Sequence, residues 1–143
     1  MFQIINRIPR GLAVSGGGAS SLADYDSYLK AVWAMEETSG TRADSVNSHD
    51  LTDNNTVLYG TGKYGNAADF DLANVEYLSV ADHADIAPDD SMAISLWAKP
   101  ESLAETYHTL IHKGGAFASF ALLHTDNGFW DDGFSFLMVQ SAD

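Results

Sequence analysis

Leu29-Lys30-Ala31-Val32-Trp33-Ala34-Met35-Glu36 opens the stretch, running on to Gly115, whose reading decides the fold class. Ala31, Trp33 and Met35 alternate with Val32, Ala34 and Glu36, the two-residue period of a strand, and Thr38-Ser39-Gly40 then turns the chain. Leu51 to Tyr59 reads as a second strand, closed by Gly60-Thr61-Gly62. Ala67 to Asp71 and Val75 to Val80 read as two more, around the bend Leu72-Ala73-Asn74. Ala81 to Ser91, with Pro88 and several Asp and His, reads as a loop holding at most one helical turn. Met92-Ala-Ile-Ser-Leu-Trp97-Ala-Lys99 is the clearest strand, with Met92, Ile94, Leu96 and Ala98 on one face and Pro100 ending it. Thr106 to Lys113, Phe117 to His124 and Gly133 to Val139 complete about eight strands with almost no helical period, the mark of an all-β sandwich.

The landmarks of this stretch also come in a recognisable order. After the first strand come Glu36-Glu37-Thr38-Ser39-Gly40 and Ala43-Asp44-Ser45-Val46-Asn47-Ser48-His49-Asp50. Gly65-Asn66-Ala67-Ala68-Asp69-Phe70-Asp71, Glu76-Tyr77, the Met92 strand and His112-Lys113-Gly114-Gly115 follow. The chain resembles the laminin-G-like branch of the concanavalin A-like lectin/glucanase superfamily. The resemblance implies a two-sheet antiparallel jelly-roll sandwich that binds carbohydrate, often with calcium. It also implies that Trp33, Phe70, Ile94 and Leu96 are core residues and that Trp97 is a packing residue. Set against the full pattern of that family, the sandwich stops short at its C-terminus, so a longer protein or a neighbouring chain is expected to complete it. One fold hosts many activities, so fold and function are argued separately.

Composition narrows the functional classes. A chain of 143 residues, 45% hydrophobic, is one domain's length with enough apolar residues for a core. Twenty Asp and Glu against seven Lys and Arg leave a net charge of −13. That field repels nucleic acid and anionic membrane surfaces, and its carboxylates suit calcium. The absence of cysteine excludes disulfides and thiolate metal sites. No apolar run approaches the roughly 18 residues of a membrane span. No signal peptide is recognised in Met1-Phe-Gln-Ile-Ile-Asn-Arg7-Ile8-Pro9-Arg10, because Arg7, Pro9 and Arg10 interrupt the apolar centre.

Residues 1–28 lie outside the resemblance, which implies a partial laminin-G-like sandwich over residues 29–143. Phe2, Ile4, Ile5 and Ile8 form an apolar tip, and Gly16-Gly-Gly-Ala-Ser-Ser21 has the composition of a flexible linker. The expectation is an extended N-terminal arm that anchors the chain in an assembly.

Three groups of residues are candidates for a site. Asp44, Asn47 and Asp50 follow the first strand as alternating oxygen ligands, the chemistry calcium requires, and the resemblance places Asp44 and Asn47 at its calcium loop. The turn-forming role of Asp and Asn is the competing reading. Asp126, Asn127, Phe129 and Trp130 combine carboxylate, amide and aromatic chemistry in one loop, as a carbohydrate-binding surface does. Asp69 and Asp71, two apart on a strand, would have Cα atoms about 6.6 Å apart, but the third acid of a glucanase set is replaced by Asn74. The five histidines show no metal-ligand spacing, and no Gly-x-Ser-x-Gly elbow is present, so no enzyme is expected.

The expected function is a non-catalytic carbohydrate-binding or adhesion module. Its partners would be a glycan or cell-surface polysaccharide and, through the arm, other structural proteins, with the chain itself a homo-oligomer. The missing export signal places it on a virion surface, since phage particle proteins reach the outside by lysis; another extracellular setting is the alternative. A purely structural decoration of a phage virion is the competing function, and a glycoside hydrolase comes third.

Overall fold

The computed structural model describes residues 2–6, 28–87, 92–100, 107–114, 118–125 and 133–138, and among these described residues there are ten short antiparallel strands and no α-helix. The protein is all-β, and its sheets have two or three strands each. The chain divides into two compact units, Met1–Trp97 and Ala98–Asp143.

The first unit is built on the strand order β2-β1-β7, where β1 is Phe2–Asn6, β2 is Leu29–Trp33 and β7 is Met92–Leu96. Phe2 pairs with Trp33 on one side and Leu96 on the other; Ile4 pairs with Ala31 and Ile94. Phe2, Ile4 and Ile5 therefore do not form a free arm: they occupy the central strand of the sheet, hydrogen-bonded along both edges. The physical reason is that Phe2, Ile4 and Ile5 are strand-forming residues whose backbone pairs with an apolar strand on each side, leaving neither edge of the segment to water. Ile8 and the Gly16–Ser21 run lie outside the described residues.

Among the described residues, two antiparallel strand pairs complete this unit. Strand β3 (Thr52–Asn54) pairs with β6 (Tyr77–Ser79), and β4 (Leu58–Thr61) pairs with β5 (Asn66–Asp69). The segment from Leu51 to Tyr59, expected as one strand, is split. Asn55 and Thr56 adopt positive φ of 69° and 68°, and the Asp53 carboxylate accepts the N–H of Val57 at 2.8 Å, so the chain turns out of the ladder.

Ala31, Trp33, Leu51 and Ile86 form the buried core, with Met35, Leu78, Val80, Met92 and Ile94 packed against it. Ile94 thus packs as expected and Trp33 is 1% exposed, whereas Phe70 is half exposed. Strand β5 ends at Asp69 and Asp71 caps the 3-10 turn Leu72–Asn74, accepting the Ala73 N–H at 2.8 Å. Phe70 falls between the two elements, where strand alternation no longer governs its side chain. Trp97 departs from expectation for the same reason: β7 ends at Leu96, and Trp97 is 66% exposed.

The second unit is a meander in the order β10-β9-β8, of Tyr107–Gly114 (β8), Ala118–Thr125 (β9) and Gly133–Met138 (β10). The central strand β9 carries the buried Phe120, Ala121 and His124. His108 pairs directly with His124 across β8 and β9, their ring centroids 5.9 Å apart.

Candidate functional site

The loop after β2 is organised by one carboxylate. Asp44 Oδ1 accepts the N–H groups of Val32 at 2.8 Å and Val46 at 3.0 Å; Oδ2 accepts those of Asn47 at 3.1 Å and His49 at 3.0 Å. Asp followed by small and polar residues favours this arrangement, because a short side chain can bond backbone donors two and three residues ahead. Burial pushes the Asp44 carboxyl upward, but the N–H donors of Val32, His49, Val46 and Asn47 together outweigh it and hold its pKa below the usual carboxylate value.

The other two expected calcium ligands surround this centre. Asp50 Oδ1 accepts the N–H of Asp44 at 2.9 Å, and the amide of Asn47 donates to the carbonyl of Lys30 at 3.0 Å. Asp44, Asn47 and Asp50 are therefore brought together, with both Asp44 oxygens, Asp50 Oδ1 and the Asn47 amide engaged with backbone groups. A calcium ion on Asp44 would have to displace N–H donors from oxygens that already accept two each.

Below this loop Arg42, fully buried, donates to the carbonyls of Gly40, Val57 and Leu58, the latter two at 2.9 and 3.2 Å. Arg42 also bridges Leu51 through paired backbone bonds of 2.9 Å. The guanidinium thus ties the Gly40 turn to the start of β4.

The loop delivers His49 to a defined place. Its N–H is held by Asp44, and its carbonyl accepts the indole Nε1–H of Trp33 at 2.7 Å. The His49 side chain is 9% exposed, and its Nε2 is buried without a hydrogen-bond partner. Asp85 Oδ2 lies 3.5 Å from it. Asp85 lies in the 3-10 turn Ala84–Ile86, which the buried Ile86 pins to the core beside Ala31 and Trp33. His83 caps that turn: its Nδ1 accepts the Asp85 N–H at 3.1 Å and lies 3.4 Å from Asp85 Oδ2. The His49 and His83 rings are 4.5 Å apart between centroids, and Lys30 Nζ reaches Asp85 Oδ1 at 3.5 Å. One ligand atom from each of His49, His83 and Asp85 lies within 4.8 Å of the others. Sequence reasoning missed this group. His83-x-Asp85 is a short pairing, but His49 stands far from it in the chain and only the loop's folding brings it there.

A second feature is aromatic. The β4–β5 hairpin closes with Gly62 N–H donating to the Gly65 carbonyl at 2.9 Å, so Lys63 and Tyr64 form its tip. Glu36 braces the hairpin by accepting the Asn66 N–H at 2.9 Å. Gly65 has a positive φ of 61°, a backbone conformation that favours glycine, and a Cβ there would press on the Glu36 carboxylate that braces the hairpin. Tyr64 is 74% exposed, and Lys63 Nζ lies 5.9 Å from the ring centroid of the exposed Trp97. The loop holding Asp126, Asn127, Phe129 and Trp130 lies outside the described residues. Asp69 is exposed, and Asp71 is a turn cap.

Comparison with protein families, with curated proteins and with solved structures finds no match to this chain.

Proposed function

We propose that this chain is a non-catalytic carbohydrate-binding or adhesion module, a jelly-roll domain displayed on a virus particle or another extracellular assembly. The observation that carries the reading is the exposed Trp97, whose ring lies 5.9 Å from Lys63 Nζ at the tip of the β4–β5 hairpin. Trp97 keeps 66% of its surface in water beside Lys63, and Tyr64, the residue after Lys63 in the chain, is 74% exposed. Large aromatic residues left in water are costly unless a ligand covers them, and a flat indole face suits the apolar C–H face of a sugar ring. Lys63 supplies a hydrogen-bond donor for sugar hydroxyls at the same place.

The ligand class follows from charge. At −13 the chain repels polyanionic polysaccharides, so the favoured partner is a neutral glycan. The order of motifs from Leu29 to Gly115, resembling laminin-G-like domains, supports the same reading. A glycan array probed with the intact chain and with Trp97→Ala tests it. Binding to neutral glycans by the intact chain and its loss in the variant are expected. Failure of the intact chain to bind any glycan, or equal binding by the variant, overturns it in favour of a purely structural decoration.

A further inference from the structure

We infer that His49, His83 and Asp85 form a zinc site that clamps the loop after β2 to the 3-10 turn before β7. Three observations converge on it. His49 Nε2 is buried and lacks any hydrogen bond, although burying a polar nitrogen without a partner is costly. It faces a carboxylate oxygen at 3.5 Å, and a second imidazole nitrogen faces that same oxygen at 3.4 Å. Ligands about 2.0–2.1 Å from a tetrahedral zinc stand about 3.3–3.4 Å from one another, so both separations fit the edge of such a tetrahedron.

The chemistry of the donors selects the metal. Two imidazole nitrogens and one carboxylate oxygen are a borderline set that favours zinc over calcium or magnesium, which take oxygen almost exclusively. His83 Nδ1 accepts a backbone N–H from Asp85, so its ring proton is on Nε2 and the Nδ1 lone pair is of the kind a metal takes. Zinc would replace that N–H as the partner of the lone pair. Lys30 holds Asp85 Oδ1, leaving Oδ2 directed between the two histidines. The position of each ligand is set elsewhere: His49 by Asp44 and Trp33, and the turn by Ile86 in the core. Three protein ligands leave a fourth position for water, on the side where His83 is 53% exposed. The site is independent of the aromatic surface, and neither reading depends on the other.

The test uses the full chain without an affinity tag, stripped with chelator and titrated with zinc chloride by calorimetry in millimolar calcium and magnesium. One zinc per chain is expected, with affinity at least about tenfold weaker in His83→Ala and in Asp85→Asn, by analogy with the losses caused by weaker perturbations of zinc sites. His83 is largely exposed, so its variant should keep the fold, checked by circular dichroism. A second readout needs no variant. Long-range nitrogen–proton spectra of the intact chain should show zinc shifting His49 at Nε2 and His83 at Nδ1, leaving His108, His112 and His124 unmoved. Zinc binding that survives both substitutions, is abolished by calcium, or shifts other histidines instead would overturn the assignment.

Discussion

Asp44 Oδ1 accepts the N–H of Val32 at 2.8 Å, joining the loop after β2 back onto the strand it left. Three further backbone N–H groups converge on the same carboxylate, so one ionised side chain fixes the path of the chain from Asp44 to His49. The Trp33 indole closes the loop from the core side through the His49 carbonyl. This arrangement makes a loop rigid enough to position a functional side chain.

Replacing Asp44 by Asn should therefore cost more than a surface substitution. Asparagine keeps one acceptor oxygen and turns an NH₂ group toward two N–H donors, leaving them unsatisfied in a buried site. A loss of about 2–4 kcal/mol in urea unfolding is expected. A loss below about 0.5 kcal/mol would show that the N–H groups find water instead.

The same carboxylate makes stability depend on pH in a defined direction. Its folded pKa lies below the unfolded value of about 3.9, so in that range the native state binds fewer protons than the unfolded chain. Its stabilising contribution is complete well above pH 4 and disappears as pH falls through the folded pKa. The stability difference between the intact chain and Asp44→Asn should shrink on going from about pH 6 to about pH 3. A difference that stays constant over that range would assign the effect to packing alone.

Ile4→Pro tests the central strand. Proline removes a ladder hydrogen bond and is tolerated only at sheet edges, whereas β1 is paired on both sides. Destabilisation of about 3 kcal/mol or more, or loss of the cooperative transition, is expected in thermal unfolding. An unchanged melting temperature would mean that residues 2–6 are dispensable to the sheet.

Arg42→Lys probes the buried guanidinium. A single ammonium cannot reproduce the fork that reaches the carbonyls of Gly40, Val57 and Leu58. Stability should fall by about 2–3 kcal/mol, chiefly through the buried Val57 carbonyl left unpaired. A neutral result would indicate that lysine and water together satisfy them.

Trp97→Ala should leave stability within about 0.5 kcal/mol, since the residue is mostly exposed, while weakening neutral-glycan binding at least about tenfold, or 1.4 kcal/mol. Calorimetry on the intact chain and the variant, with unfolding measured in parallel, separates the two effects. Reduced stability alongside reduced binding would mark Trp97 as a packing residue after all.

The all-β class and the positions of most strands were legible in the sequence, because alternation and turn residues are local signals. The Ala84–Ile86 turn and the strands around Tyr77–Ser79, Met92–Leu96 and Tyr107–Gly114 fall where those signals put them. Exposure of Phe70 and Trp97 was not legible, since it depends on where each strand stops, and the capping of Asp71 and the end of β7 decide that by one residue.

Sequence by itself determined the strand-forming character of this chain, its acidity and its lack of thiol chemistry, because these follow from composition and two-residue periodicity. Only the tertiary structure decided that Phe2–Asn6 lies in the middle of a sheet and that His49 meets His83 and Asp85. Both are long-range pairings. No local pattern carries them, because Phe2–Asn6 pairs with strands far along the chain, and His49 reaches Asp85 only when the Asp44 loop and the Ile86 turn close on one core.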